Sequence, residues 1–270
     1  MAERRPRLEG KVAIVTGAGS SGPGVGTGKA ISILLAKEGG RVLLVDNETA
    51  RTRETLASIE EEDGVASVFE GDVTSSTDCL RMVQAAIDRY GRLDILVNNV
   101  GIVVKGNVVT VDEDDWQRVM DVNLKSMVLT SKHAVPRMIE GEGGSIINMS
   151  SFLGLRSGSA FESAPYSASK GGILALTTTM AVEHGRDNVR VNAIVPGYLY
   201  TPMVAGSMTE EQRDLRRRAA PLGTEGTAWD VAWATVFLAS DEARWITGVA
   251  LPVDAGLLAT SPLAMLDLLR

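Results

Sequence analysis

Short, almost wholly apolar runs rich in β-branched residues alternate along the chain with longer segments of helical apolar spacing. The runs at 11–16 (KVAIVT), 41–46 (RVLLVD), 66–70, 93–98 (LDILVN), 145–149 (SIINM), 189–195 (VRVNAIV) and 249–253 read as strands, several of them followed by glycine or proline. The segments 27–37, 49–62, 75–90, 112–139, 166–184 and 227–239 read as helices. Ser75 or Ser76 suits an N-cap, and the acidic run 112–115 suits the positive end of a helix dipole. Residues 204–220 are polar and charged, and predict a mobile helical lid. Strands without a polar alternate are buried on both faces, which requires a parallel sheet with helices on each side. The pattern predicts an α/β fold: a doubly wound parallel sheet of about seven strands, one domain over residues 1–270, with an apolar tail at 257–270.

Composition narrows the function. A chain of 270 residues, 44% hydrophobic, buries roughly three quarters of its unfolded surface and needs no covalent staples. Cys79 is the single cysteine, so no internal disulfide forms, and a reducing compartment is expected. No apolar run approaches the ~20 residues of a membrane span, and no leader-like segment follows the charged start. A cytoplasmic protein without a membrane partner is expected. A net charge of −7 disfavours nucleic acid through phosphate repulsion. The cluster Arg213, Arg216, Arg217 and Arg218 reads as a solvated helix face. His133 and His184 lack the carboxylate–histidine spacing of a metal site, so no metal is expected. Trp116, Trp229, Trp233 and Trp245 read as core or subunit contacts rather than stacking platforms.

The loop from Thr16 to Ala30, TGAGSSGPGVGTGKA, follows the first strand and opens a helix. Glycines there let backbone approach a pyrophosphate, and the helix N-terminus offers free N–H groups to it. The second strand ends at Asp46, 18 residues after Gly28. A carboxylate at that point accepts from adenosine ribose hydroxyls and repels a 2′-phosphate. The reading is a Rossmann-like dinucleotide site preferring NAD over NADP. Arg51 and Arg53, just downstream, are placed to reach a phosphate, so an NADP-preferring carbonyl reductase stays open as the alternative.

Tyr166 and Lys170 stand four apart on one helix and share a face. An ammonium beside a phenol, with an oxidised nicotinamide nearby, favours phenolate, and Tyr166 then takes an alcohol proton as hydride leaves. Asn98-Asn99-Val100-Gly101 ends the fourth strand, Asn123 lies in the helix after it, Ser150-Ser151 follows the fifth strand, and Pro196-Gly197 with Thr201 follows the sixth. All should meet at the carboxyl edge of the sheet.

From Lys11 to Gly256 the chain resembles the short-chain dehydrogenase/reductase family, in its single-domain branch of about 250 residues. The TGA…GTG loop, Asp72-Val73, NNVG, Asn123, Ser151, YSASK, PGYLYT and VDAG carry the likeness. The resemblance implies Tyr166 as acid/base and Lys170 as the group that binds the nicotinamide ribose and lowers the tyrosine pKa. It implies Ser151 as hydrogen-bond partner of the reacting oxygen, with Ser150 as fallback, and Asn123 as holder of a relay water. It assigns Gly17, Gly26, Thr27 and Gly28 to the phosphates, Asp72 and Val73 to the adenine, Asn99 and Gly101 to the ribose side, and Pro196 and Thr201 to the carboxamide end. It also implies a homotetramer, and the apolar tail predicts packing on a neighbouring subunit.

Three departures stand out. The glycine loop carries about five extra residues around 20–25 relative to the family's usual loop. The interval from Ser151 to Tyr166 is longer than usual by two. Val100 and Ala255 replace the usual Ala and Gly. Phe152, Leu153, Phe161, Tyr198, Tyr200 and Met203 predict a mostly apolar substrate pocket and a neutral alcohol or ketone. A catalytically silent NAD(H)-binding protein and a lyase or epimerase on the same scaffold are the competing readings.

Overall fold

The computed structural model describes residues 6–157, 162–206 and 208–261. Strands β1 (Val12–Thr16), β2 (Arg41–Asp46), β3 (Val65–Glu70), β4 (Ile95–Asn98), β5 (Gly144–Met149), β6 (Val189–Pro196) and β7 (Ala250–Val253) form one sheet. The order is β3-β2-β1-β4-β5-β6-β7, and every pairing is parallel. The chain runs outward from β1 to β3 and returns to β4 on the other side of β1. The strand order therefore reverses between β1 and β4, and an open parallel sheet binds its ligand at such a point.

Helices α1 (Thr27–Lys37), α2 (Thr49–Glu60), α3 (Ser76–Tyr90), α4 (Glu113–Met120), α5 (Ser126–Glu140), α6 (Ala164–His184), α7 (Pro202–Ala205), α8 (Glu210–Arg218) and α9 (Ala228–Ala239) complete the described fold. The strand period of two splits β1 between two cores. Ala13 and Val15 pack with α1, α9 and Ile59 of α2, while Val12 and Ile14 pack with α3, α5 and α6. Both sets are fully buried, and the near-continuous apolar strands of the sequence follow from that.

The Ser75 hydroxyl accepts from Asp78 N at 3.3 Å and starts α3, which ends at Gly91 in the left-handed region with φ 83°. The predicted helix 112–139 is broken. Asp112 caps α4, and Asp121–Lys125 then forms a single π-helical stretch before α5. Such bulges cost regular hydrogen bonding and gather at functional positions; Asn123 lies in this one.

The tryptophans are not core. Trp116, Trp229 and Trp233 are 37%, 36% and 45% exposed, and Trp245 is 96% exposed. His133 Nε2 pairs with the Ser76 hydroxyl at 3.0 Å, joining α5 to α3. Among the described residues no helix is long and apolar enough to cross a membrane.

Candidate active site

A cleft of about 430 Å³ opens over the carboxyl ends of β1, β2 and β4. Its floor is the glycine loop. Gly17 adopts φ +63°, and a Cβ at Gly28 would lie 1.8 Å from the Gly17 carbonyl oxygen and 2.7 Å from Asn99 Nδ2. No side chain fits there, so the two ends of the elongated loop close on each other. Gly26 is the N-cap of α1 and leaves the helix without a side-chain cap. With Thr27 it lines the cleft, an arrangement that receives an anion. The extra residues loop outward: the Ser20 hydroxyl donates to Gly22 O at 2.8 Å, and Cβ positions at Gly22 and Gly24 would each lie 3.6 Å from Pro202. The inserted segment thus reaches the start of α7.

Asp46 sits at the end of β2 inside the cleft. Its Oδ2 accepts from Gly19 N at 3.2 Å, and its Oδ1 from Glu48 N at 3.1 Å. A carboxylate has about four acceptor positions, so both oxygens keep capacity for ribose hydroxyls. Arg51 lines the same corner, but its guanidinium is ion-paired to Glu48 at 2.7 Å, and Arg53 is exposed and does not line the cleft. Asp72, Val73, Gly101 and Thr201 complete the predicted lining. Asp72 Oδ1 accepts from Thr74 N and Oγ1, both at 2.8 Å. Asn99 lines the cleft too, but its side-chain amide donates to Thr16 O and Gly17 O at 3.1 and 3.0 Å, bracing the loop. Pro196 closes β6 opposite Val253 and stands outside the cleft wall. The glycine cradle, the open helix end and the half-satisfied carboxylate fit a dinucleotide.

Behind Gly101, and outside the cleft lining itself, the fold brings Ser151, Tyr166 and Lys170 together. Pro165 in the first turn of α6 places Tyr166 at the third helical position. Burial pushes the Tyr166 hydroxyl above its ordinary pKa, and a hydrogen bond with Ser151 pulls it back in part. Lys170 is 3% exposed, and desolvation pushes its ammonium down to about 8. Its Nζ donates to Met149 O at 2.7 Å and lies 5.5 Å from the Tyr166 ring centroid. Burial is the largest influence on the tyrosine, and the Ser151 hydrogen bond opposes it.

The two serines separate. The Ser150 hydroxyl donates to Lys170 O at 2.8 Å, anchoring α6 to the end of β5, whereas the Ser151 hydroxyl accepts from Leu153 N at 3.2 Å and reaches Tyr166. Asn123 is fully buried. Its Oδ1 accepts from Ile102 N at 2.8 Å, and its Nδ2 donates to Ile102 O and to the Ser169 hydroxyl at 3.0 Å. It therefore locks the loop after β4 to the helix that carries Tyr166. A Cβ on Gly101 would lie 3.3 Å from Lys170 Nζ, so this glycine sits between the cleft and the ammonium.

Sequence reasoning missed a buried polar ladder beneath these groups. Thr130 donates to Asn98 Oδ1 at 2.6 Å, Asn98 Nδ2 to Asn148 Oδ1 at 2.9 Å, and Asn148 Nδ2 to Thr177 Oγ1 at 3.0 Å. The signal was present: Asn148 is a polar residue in the buried run of β5, beside Ile146, Ile147 and Met149. On the substrate side, Phe152 and Tyr198 meet edge-to-face at 4.8 Å; Phe161 falls outside the described residues.

The segment expected as a lid holds the end of α7 and all of α8. Its arginines are partly solvated, as expected, and also paired. Arg213 donates to both Glu225 oxygens at 2.6 Å and lies 3.8 Å from the Tyr200 ring. Arg217 and Arg218 pair with Asp214 at 2.5 and 3.5 Å, and Arg216 lies 4.7 Å from the Tyr198 ring.

A family model described as enoyl-(acyl carrier protein) reductase matches residues 23–258. The 3-oxoacyl-[acyl-carrier-protein] reductase of Thermotoga maritima is 37% identical over 251 residues, 93% of this chain and 99% of its own. The meso-2,3-butanediol dehydrogenase of Serratia marcescens is 35% identical over 254 residues, 94% of this chain and 97% of its own. Carveol dehydrogenase from Mycobacterium avium, solved in complex with NAD, superposes with TM-score 0.86 at 30% identity, covering 94% of this chain and all of that one. With this coverage and this architecture, the chain is an oxidoreductase that belongs to the short-chain dehydrogenase/reductase family.

Proposed function

We propose that the protein interconverts a secondary alcohol and a ketone with NAD, using Tyr166 as acid/base. The convergence of Ser151, Tyr166 and Lys170 behind Gly101, a glycine of the same cleft wall as Asp46, carries this reading. The bound dinucleotide supplies or accepts the hydride. Tyr166 exchanges the proton of the reacting oxygen, and Ser151 hydrogen-bonds that oxygen and holds the phenol. A phenol whose pKa is raised by burial is protonated at neutral pH, so Tyr166 can hand a proton to the reacting oxygen in reduction, and its capacity to accept one in oxidation rises as pH climbs. Lys170 carries its charge below about pH 8 and adds positive potential behind the phenol. Asn123 positions α6 through Ser169 and the loop at Ile102.

Asp46 supports NAD over NADP: its free lone pairs suit ribose hydroxyls, and Arg51 is held by Glu48. A higher kcat/KM with NADP than with NAD refutes the preference. The Tyr166→Phe variant is expected to lose turnover, followed by NADH absorbance, while still binding NADH by fluorescence. Activity above a few per cent of wild type removes Tyr166 from its role. The same absorbance assay over a panel of alcohols excludes a silent binding protein or an epimerase when NADH accumulates. Exposed Val128 on α5, Val182 on α6 and Trp245 support a homotetramer; sedimentation as a monomer at micromolar concentration refutes it.

A further inference from the structure

The inserted residues of the glycine loop leave it and rejoin it at one point. A Cβ on Gly26 would lie 3.3 Å from both the Cα and the hydroxyl of Ser20, so residues 21–25 stand out as a loop on a pinched base. That base is fixed. Ser20 is buried, its hydroxyl donates to Gly22 O at 2.8 Å, and Val25 packs against the core cluster shared by α1 and α9. The tip reaches the first residue of α7. Cβ atoms on Gly22 and Gly24 would each lie 3.6 Å from the Pro202 ring, at its Cβ and its Cγ.

Both partners of that contact border the dinucleotide cleft. Ser20 and Ser21 line it from the insert, and Thr201 and Met203 from the start of α7. Gly26 and Thr27, at the uncapped end of α1 that receives an anion, line the same cleft. Two segments far apart in sequence thus meet at the rim of one cleft, beside its anion seat. The meeting surfaces are glycine and proline, whose dispersion contacts are few and individually small, so they part without disturbing the core. A loop with a fixed base and a lightly held tip is suited to gate a ligand.

We propose that residues 20–25 are a strap that closes on Pro202 over the phosphate end of the cleft, and that parting of the strap from α7 sets the rate at which the dinucleotide enters and leaves. The strap gates cofactor exchange without touching the reacting groups. This rests on the dinucleotide part of the proposed function and not on its substrate.

The test staples the strap. In Gly22→Cys/Pro202→Cys the two Cβ positions stand 3.6 Å apart, inside the roughly 3.5–4.5 Å span of a disulfide, and Gly22 has no left-handed φ to oppose a side chain. Cys79, the single native cysteine, is buried and stays out of the exchange. NADH, or NADPH should wild type bind that form more tightly, is loaded on the reduced double variant, and the staple is then closed by oxidation. Release is followed by the loss of its fluorescence on mixing with an excess of the oxidised dinucleotide. The stapled form is expected to release its ligand more than roughly a hundredfold more slowly than the same protein in dithiothreitol, and to take up fresh ligand more slowly as well. Equal rates in the two forms overturn the proposal, as does failure of the disulfide to form. Deleting residues 21–25 joins Ser20 to Gly26 across the pinched base and should speed release roughly tenfold; an unchanged rate overturns the proposal. Wild type that binds neither NADH nor NADPH overturns the dinucleotide reading and the strap with it, whereas ligand bound and released at a rate blind to the staple overturns the strap alone.

Discussion

Lys170 provides a test of the buried site that needs neither substrate nor cofactor. Its ammonium is pushed from 10.5 down to about 8 by desolvation alone. The unfolded chain therefore binds more protons than the folded chain between those two values, and stability from this group rises with pH across that window. Below about pH 8 the folded protein carries the full cost of a buried charge. Working the linkage from the two pKa values, the group adds roughly 2–3 kcal/mol of stability between pH 7 and pH 10. Tyr166 acts in the opposite sense, because its pKa is raised, but only as pH passes the ordinary phenol value near 10. The Lys170→Met variant removes the charge and leaves Met149 O without its 2.7 Å donor, an offset of about 1–3 kcal/mol that does not depend on pH. Urea unfolding of both proteins at a series of pH values isolates the lysine. The stability of wild type minus that of Lys170→Met should climb by about 2–3 kcal/mol from pH 7 to pH 10. A flat difference would mean that Lys170 is solvated or stays protonated, and the electrostatic picture of the site would fail.

Two backbone positions give further predictions. Gly28→Ala places a Cβ 1.8 Å from the Gly17 carbonyl, a backbone clash that only movement of the loop relieves. NADH affinity by fluorescence should fall by more than roughly tenfold with a drop in Tm, and wild-type affinity in that variant refutes the packing. Ala255 stands at φ +54°, where an L-residue pays about 1–2 kcal/mol. Ala255→Gly should therefore stabilise the protein by roughly 0.5–1 kcal/mol after glycine's entropy, read as a rise in Tm; an unchanged or lower Tm contradicts the strain.

The alternation of buried strands and amphipathic helices was legible in the sequence because a two-sided parallel sheet removes polar alternates from its strands. Glycine spacing and Tyr166-x-x-x-Lys170 were legible because both are local, set by one turn and one helix. What the chain could not reveal by itself lay between elements distant in sequence. The π-helical break at Asn123 depends on Ile102 and Ser169, contributed by a loop and another helix. The choice between Ser150 and Ser151 depends on which hydroxyl the backbone of Lys170 claims. Of the α8 arginines, read as a solvated face, Arg213 and Arg216 fold onto Tyr200, Glu225 and Tyr198 because those partners are presented by the loop after β6 and the segment before α9. Periodicity and propensity are properties of neighbouring residues, and the sequence determines them directly. Desolvation and hydrogen-bond pairing depend on which distant groups share a volume, and only the tertiary structure decides that.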